Sequence, residues 1–314
     1  MKTLCTSDVE RAAAVLRSGA LVAFPTETVY GLGADALDAA AVASIFAAKG
    51  RPADNPLITH VASVVEARLL ADVLPEAAET LLHAFAPGPL TVIVPRGPRV
   101  PDAVTAGLDT VGLRIPAHPM AQHFLQACAR PVAAPSANRS GRPSPTTAAA
   151  VLEDMDGRIA CVLDGGPTDA GVESTVVDCT TDPPVLLRHG ACTVEALRTV
   201  CPALRVSSSA EQQARSPGTR YRHYAPQARV VPVAHPGAAA PGAQHAYIGR
   251  HAPPAPEAFG LVAVCDTQAA YAHRLFDFFR QADRAGCCVI FAERAPAEGL
   301  GPTINDRVAR AAAG

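Results

Sequence analysis

Apolar and polar residues alternate in blocks along the first 200 residues, and the blocks have the lengths of strands and helices. Short apolar runs, often β-branched and bounded by Pro, Gly or polar residues, predict strands. The predicted strands cover residues 19–24, 55–61, 90–94, 111–115, 132–134, 159–163, 174–178 and 185–188. Longer segments with apolar residues at helical spacing predict helices. The predicted helices cover residues 39–49, 74–85, 118–130 and 146–155.

The pattern changes near residue 206. Residues 206–217 are rich in Ser and Gln, as is typical of a linker, and residues 232–256 are dense in Pro, Ala and Gly. Strands and helices then alternate again, which predicts a small domain built from right-handed βα crossovers. Its predicted strands and helices cover residues 261–265, 268–282, 287–291 and 303–312.

These elements predict an α/β fold in two parts. Many strands with several one-sided helices indicate a twisted mixed sheet, and the later elements indicate a small C-terminal α/β domain of Rossmann-like type. We expect a catalytic domain over residues 1–205, a linker or lid over 206–229, and the C-terminal domain over 230–314.

Composition and charge exclude several classes of protein. The chain has 314 residues, of which 49% are apolar and 18% charged, so wholesale disorder is excluded. Its 27 basic and 29 acidic residues leave a formal net charge of −2, which provides no overall attraction to nucleic acid or to an anionic membrane. No charge-free apolar run reaches the roughly 18 residues needed to span a membrane. Nor does the N-terminal sequence have the apolar core of a signal peptide.

The nine cysteines lack the spacing of a zinc or disulfide framework, because no C-x-x-C pair occurs. Most lie among apolar neighbours, so we expect small buried hydrophobic side chains in a reducing cytosol and therefore a cytoplasmic protein.

The most polar turn of the first domain follows its first predicted strand. Residues 24–33 (FPTETVYGLG) place Thr26 and three other hydrogen-bonding side chains within five positions. A Thr-rich turn before a helix would explain them equally well. Residues 31–36 also match G-x-G-x-x-A. The match is a weak indication of dinucleotide binding, since the glycines lie well past the strand and no strand ending in an acidic residue follows at the expected distance.

Two basic residues lie at the C-terminal end of the predicted helix over residues 39–49. Lys49 ends the helix and Arg51 lies just beyond it. Both could simply complement the helix dipole, or they could grip a polyphosphate, with Lys as a point charge and Arg as a fork. His60 falls within a predicted strand, where a histidine is more often a core residue than a ligand.

Further polar residues follow later strands. Ser136, Asn138 and Ser144 precede a helix N-terminus, which favours an anion; helix capping explains Ser144 but not the other two. Arg114 and Arg188 each end a predicted strand, where α/β proteins usually bind ligands. Either arginine could equally form a surface ion pair.

Taken together, these segments resemble the YrdC-like family. The resemblance is carried, in order, by residues 24–33, 48–57, 87–91, 105–119, 134–146, 164–178 and 186–190. Residues 216–226 (SPGTRYRHYAP) and the domain after them are similar to the long form of the family, which has a C-terminal extension. His189 departs from the family pattern, which usually has Pro after the arginine.

The resemblance implies a fold and a reaction. The family's sheet curves around a concave, positively charged site. Its long form converts L-threonine, bicarbonate or CO2, and ATP with Mg2+ into L-threonylcarbamoyladenylate and pyrophosphate. A downstream tRNA threonylcarbamoyltransferase then modifies tRNAs that read ANN codons. Direct contact with tRNA is not supported by the net charge.

The resemblance also implies roles for individual residues. Lys49 and Arg51 are expected to be catalytic and to handle the phosphates. The positions that match ATP contacts are Lys49, Arg51, Thr110, Ser136, Asn138, Ser144, Arg188 and Tyr224. The positions that match threonine contacts are Thr26, His60, Arg114 and Ser174. No residue is expected to be a protein ligand of a metal.

Two other hypotheses remain open at this point. The chain could be an RNA-binding module, which the net charge of −2 disfavours. It could also be a related carbamoyl-adenylate enzyme of a maturation pathway, although it lacks the acylphosphatase and zinc-finger modules expected there.

Overall fold

The computed structural model describes residues 2–207 and 224–313. The strands of the first domain are β1 Leu4–Thr6, β2 Val22–Phe24, β3 Gly31–Asp35, β4 Ile58–His60, β5 Leu90–Pro95, β6 Thr110–Arg114, β7 Val132–Ala134, β8 Cys161–Leu163, β9 Thr175–Asp178, β10 Val185–Arg188 and β11 Arg205–Val206. Its helices are α1 Val9–Arg17, α2 Ala39–Lys49, α3 Val64–Arg68, α4 Glu76–Phe85, α5 Asp102–Thr105, α6 Pro119–Cys128, α7 Ala148–Met155 and α8 Val194–Val200.

The strands of the first domain form one mixed sheet in the order β1-β8-β2-β3-β7-β4-β6-β5-β9-β10-β11. Strand β4 runs parallel to β6 and antiparallel to β7, while β2 and β3 form an antiparallel pair. Helix α2 packs on one face of this sheet, with Val42 and Ile45 buried against Leu32. Helices α1 and α6 cover part of the other face, where Phe24 packs against Phe124.

The second domain is a smaller parallel sheet with two helices. Its elements are β12 Arg229–Val233, β13 Gly242–Gly249, β14 Phe259–Val264, α9 Gln268–Arg284, β15 Val289–Glu293 and α10 Gly301–Ala312, with 3-10 turns at Pro236–Ala238 and Pro256–Ala258. The strand order is β12-β15-β13-β14, and every neighbouring pair is parallel. The predicted fold class, a mixed α/β sheet with a small α/β domain after it, is confirmed. The predicted domain boundaries stay predictions.

Several elements were not predicted. Strand β3 begins within residues 24–33, which were predicted to be a polar turn, and its sequence, GLGAD, lacks the β-branched residues typical of strands. It is a strand because it pairs with both β2 and β7. Strand β13 lies in the segment noted only for its Pro, Ala and Gly content. The predicted strand over residues 55–61 is shorter, since the carbonyls of Asn55 and Pro56 accept hydrogen bonds from Arg51 instead of pairing in the sheet.

The two domains share a packed interface. Val29 and Val172 of the first domain belong to the same hydrophobic cluster as Phe276 of α9. Arg280 of α9 is buried and donates to a carboxylate oxygen of Asp154 at 2.8 Å. Among the described residues, no helix is both long enough and apolar enough to cross a membrane.

Candidate active site

A cavity opens on the same face of the sheet as α1 and α6, over the part that these helices leave uncovered. Its empty volume is about 570 Å3, including the open mouth. Gly31, Ile58, His60 and Ala134 form part of its lining. The register explains why these residues meet: Ile58 pairs with Ala134 across β4 and β7, and paired residues point to the same face. The cavity therefore lies on the sheet and not only at the ends of its strands.

Most of the predicted site residues meet in this cavity. All four predicted threonine contacts line it, namely Thr26, His60, Arg114 and Ser174. Four of the predicted ATP contacts line it as well, namely Arg51, Ser136, Arg188 and Tyr224. The other four, Lys49, Thr110, Asn138 and Ser144, are not part of its lining.

Arg114 is buried in the cavity wall, with only 4% of its surface exposed, so the alternative of a surface ion pair is wrong. Its Nη2 lies 2.9 Å from a carboxylate oxygen of Glu27 and donates to the Thr28 hydroxyl at 2.9 Å. Its Nε atom is buried without a hydrogen-bond partner among the described residues. A buried guanidinium with a remaining donor is suited to a carboxylate ligand.

His60 faces Arg114 across the β4–β6 pair and is 3% exposed. Burial, together with the positive charge of Arg114, lowers the pKa of His60 to about 3, so the imidazole is neutral at physiological pH. Its Nδ1 donates to the carbonyl of Ile58 at 3.2 Å, and its ring meets the edge of Phe24 at 5.7 Å between centroids. It is thus both a packed core residue and part of the cavity wall.

Thr26 and Ser174 complete the predicted threonine group. The Thr26 hydroxyl donates to the carbonyl of Val29 at 2.6 Å, which closes the turn between β2 and β3. The Ser174 hydroxyl lies 2.8 Å from that of Thr91. Arg188 donates to the Ser174 carbonyl at 2.9 Å and to its hydroxyl at 3.1 Å, and is 7% exposed. The alternative of a surface ion pair is therefore wrong for Arg188 too.

The residues predicted to contact the phosphates lie in two layers, one at the cavity surface and one behind it. Ser136 lines the cavity and donates to the Asn138 side-chain oxygen at 2.5 Å. Lys49 lies behind them, where its Nζ donates to the backbone carbonyls of both residues. Burial and the neighbouring Arg51 charge lower the pKa of Lys49 well below its usual value. Lys49 therefore supports the cavity wall from the protein interior. Its hydrogen bonds to this wall are a role in addition to complementing the helix dipole.

Asn55 is a site candidate that sequence reasoning missed. It is fully buried, and neither polar atom of its side chain has a hydrogen-bond partner in the part of the chain that the structure describes. Its carbonyl accepts from Arg51, a cavity residue. Buried amides are normally hydrogen-bonded, so this side chain is unusual, but Asn55 itself is not part of the cavity lining. Its place in residues 48–57, which carry part of the family resemblance, was the available signal.

Glu173 is a second residue missed, although it adjoins Ser174. It lines the cavity and accepts from the Ser144 hydroxyl at 2.6 Å, which places Ser144 directly behind it. Its other oxygen accepts from Arg307 of α10 at 2.8 Å. The carboxylate lies in the segment 164–178, but its partner is 134 residues away in the chain, so the sequence pattern did not reveal the pair.

Thr110 lies outside the cavity. It begins β6, four residues before Arg114, which corresponds to about 13 Å at the usual rise of a strand. Both residues point to the same face, and Gly112 between them adds no side chain. A ligand that reached Thr110 from the cavity would have to extend along this strip of β6.

Tyr224 brings the second part of the chain to the cavity. It is 4% exposed, and its ring lies 5.1 Å from that of Phe276 and 5.2 Å from the Arg307 guanidinium carbon. Residues 208–223 lie outside the described residues, and with them most of the predicted lid.

The charges of the cavity favour an anionic ligand. Arg51, Arg114 and Arg188 line it with Glu173, and Glu173 is held by Arg307 from behind. Among the described residues, no group of three or more His, Cys, Asp or Glu side chains could hold a metal ion. Cations and hydroxyls in a cavity can act on an anionic ligand by positioning and charge neutralisation.

Comparison with known proteins identifies the family. A family model described as telomere recombination (Sua5_yciO_yrdC) matches residues 14–190. A second, described as threonylcarbamoyl-AMP synthase, C-terminal domain, matches residues 192–313. The chain therefore belongs to the Sua5/YciO/YrdC family, in its long form, and the predicted resemblance is confirmed.

Individual relatives narrow the comparison. The threonylcarbamoyl-AMP synthase of Pyrococcus abyssi is 46% identical over 96% of this chain and 92% of its own length. The Bacillus subtilis protein of that name is 51% identical over 72% of this chain and 67% of its own. The crystal structure of P. abyssi Sua5 complexed with L-threonine matches with a TM-score of 0.90 and 42% identity, over 100% of this chain and 98% of that one.

Proposed function

We propose that this chain is a nucleotidyltransferase that forms L-threonylcarbamoyladenylate and pyrophosphate from L-threonine, bicarbonate or CO2, and MgATP. The observation that carries the proposal is the cavity itself. It brings the four predicted threonine contacts together with Arg51, Ser136 and Arg188. The relatives named threonylcarbamoyl-AMP synthase support the reaction, and the P. abyssi complex supports threonine as the amino acid.

Threonine would bind at the Arg114 end of the cavity. The Arg114 Nε atom offers a hydrogen bond to the carboxylate, and the hydroxyls of Thr26 and Ser174 lie in the same wall. The amine must be neutral to attack CO2. Arg114 and Arg51 favour the neutral amine because nearby positive charge disfavours an ammonium ion, and the neutral His60 adds no acidic proton.

The reaction then has two bond-forming steps. The amine nitrogen bonds to the carbon of CO2 as one C=O electron pair moves onto oxygen. The proton on nitrogen leaves to solvent or, when CO2 comes from bicarbonate, is consumed in forming CO2 and water, which leaves a carbamate anion. A carbamate oxygen bonds to the α-phosphorus of ATP while the bond from that phosphorus to pyrophosphate breaks. Arg51, Ser136 and Arg188 would neutralise and orient the phosphates, with Lys49 and Asn138 holding Ser136 in place. Mg2+ would enter with ATP, as part of the substrate.

The product contains a mixed anhydride that hydrolyses readily, so the cavity must exclude water. Tyr224 belongs to the predicted lid, is its first described residue after residue 223, and is buried at the cavity wall. We propose that the product passes, in the cytoplasm, to a tRNA threonylcarbamoyltransferase that modifies tRNAs reading ANN codons.

Substrate omission tests the reaction. Purified protein with L-threonine, bicarbonate and MgATP is expected to release pyrophosphate, and mass spectrometry is expected to detect the labile adenylate. Omission of threonine or bicarbonate should stop both signals. Pyrophosphate release that is independent of threonine would contradict the proposal.

A pair of variants ties the reaction to the cavity. Arg51→Gln removes a buried cavity cation and is expected to lower kcat/KM for ATP by about 100-fold, comparable to loss of other electrostatic contacts in active sites. Arg99→Gln, an exposed arginine outside the cavity, is the matched control and should retain wild-type activity.

A further inference from the structure

A fully buried arginine of the second domain reaches the wall of the cavity. Arg307 lies on α10 and has no exposed surface. Its Nε donates to Glu173 at 2.8 Å, and its Nη2 donates to the carbonyl of His189 at 2.9 Å. Arg307 thus contacts the residues that directly precede Ser174 and follow Arg188.

Glu173 forms an ion pair with Arg307 and lines the same cavity as Arg188. Burial by itself would raise the pKa of Glu173, but Arg307, Arg188 and the hydrogen bond from Ser144 lower it below its usual value. Glu173 is therefore an ionised carboxylate inside a cavity whose ligand is an anion. Such a carboxylate would oppose that ligand unless another cation neutralised it.

We infer that Arg307 is a positioning residue: by binding Glu173, it keeps this carboxylate from neutralising Arg188, so that the charge of Arg188 acts on the nucleotide phosphates. The inference rests on the proposed function, because it takes the anionic ligand to be ATP. It gives the second domain a direct electrostatic effect on the cavity, since Arg307 belongs to α10.

Loss of Arg307 would change the pairing of Glu173. Arg188 also lowers the pKa of Glu173 and would remain after the substitution. The Glu173 carboxylate would then be expected to move closer to Arg188. The field of Arg188 at the phosphates would fall, because Glu173 would offset the charge of Arg188. The loss of Arg307 should therefore weaken the binding of ATP more than the binding of threonine, because the predicted threonine contacts centre on Arg114.

Arg307→Gln is the first variant, and direct calorimetric titration of MgATP into the threonine-free protein is the measurement. The Kd for MgATP is expected to rise about tenfold or more, and the KM for ATP with it, which corresponds to about 1.4 kcal/mol. The KM for threonine is expected to change less than about threefold, or under roughly 0.7 kcal/mol.

Arg284→Gln is the matched control. Arg284 also reaches from α9 across the domain interface, where it pairs with Glu153, but it is half exposed and lies outside the cavity lining. Its substitution should leave the Kd for MgATP unchanged. Equal weakening by both variants would overturn the inference, because it would indicate a general effect of the interface.

The double variant Arg307→Gln/Glu173→Gln separates electrostatics from simple bracing. If Arg307 acts by neutralising Glu173, removal of both charges restores the Kd for MgATP to within about threefold of wild type, or under roughly 0.7 kcal/mol. A double variant no tighter than Arg307→Gln overturns the inference. Glu173→Gln alone should bind MgATP at least as tightly as wild type, and weaker binding by this variant would also overturn it.

The Kd measurements by calorimetry do not depend on turnover. A wild-type protein that binds MgATP but never forms the adenylate would refute the proposed function, while the pattern of Kd values would still decide the role of Arg307.

Discussion

Single side chains in this cavity are defined by burial as much as by charge. His60 is the clearest case, since its imidazole lies between the ring of Phe24 and the charge of Arg114. A strand histidine was expected to be a core residue more often than a ligand, and the structure makes His60 both a core residue and part of the cavity wall. The consequence is a group that stays neutral in the native state over a range where a free histidine takes up a proton.

The pH dependence of stability tests this environment. Between pH 6.5 and about 3, the unfolded chain binds a proton at His60 that the native protein excludes, so stability falls as the pH falls. The slope from this group approaches about 1.4 kcal/mol per pH unit. Between pH 7 and pH 4.5, the wild type is expected to lose roughly 2–3 kcal/mol more free energy of unfolding than His60→Gln.

Urea unfolding at pH 7, 5.5 and 4.5 provides the comparison. All other titrating groups are common to the two proteins, so the difference isolates His60. Parallel losses in the two proteins would show that His60 is not kept neutral in the native state.

At the scale of elements, the end of helix α2 shows how a short turn places two cations. Asp38 caps the start of the helix by accepting from the amides of Ala40 and Ala41, and Gly50 ends it in the left-handed region with φ of 62°. Lys49 and Arg51 flank this glycine. The turn therefore directs one side chain behind Ser136 and the other into the cavity.

Gly50→Ala tests the turn. No atom lies within 4 Å of the added Cβ, so the cost is conformational, about 1 kcal/mol in the free energy of unfolding. The KM for ATP is expected to rise several-fold because Arg51 shifts with the turn.

Gly286→Ala is the matched control, measured by the same urea unfolding and kinetics. It has φ of 70° and equally open surroundings, but lies beyond α9 in the second domain. It should lose similar stability with an unchanged KM. An unchanged KM for Gly50→Ala as well would show that the turn does not position Arg51.

At the scale of the whole molecule, the second domain packs against the loop that carries two of the cavity residues. The loop between β8 and β9 carries Glu173 and Ser174 to the cavity, and α9 lies against this loop. The His273 Nδ1 donates to the carbonyl of Asp169 at 2.9 Å, and Gly171 comes so close that a Cβ there would lie 2.4 Å from the His273 Cα. Domain contact and site geometry are thus parts of one arrangement.

Gly171→Ala tests this arrangement. The methyl group would overlap the backbone of α9 at a position with φ of 72°, which is expected to cost roughly 2–4 kcal/mol in the free energy of unfolding. The displaced loop should also raise the KM for threonine through Ser174.

Gly166→Ala in the same loop separates the two effects. It has φ of 80° with open space around the added Cβ, so it should lose only about 1 kcal/mol and keep the wild-type KM. Equal losses in the two variants would show that contact with α9 does not hold the loop.

Local patterns in the chain were enough to predict the fold class and most of the central elements. Helix α2 begins and ends where its apolar spacing and its glycine place it, and β7 and β10 have their predicted bounds. These features depend on interactions between residues a few positions apart, so the local sequence is enough to predict them. The family motifs likewise named residues that the structure gathers in one cavity.

Only the tertiary structure determined the contacts and the burial of residues that are far apart in the sequence. Strand β3 exists because β2 and β7 offer it hydrogen bonds on both sides, whatever its own weak propensity. The burial of Arg114 and Arg188 could not be told from surface pairing until the sheet closed around them. Arg307 meets Glu173 across 134 positions of chain. Such contacts depend on burial and long-range packing, which only the assembled molecule defines.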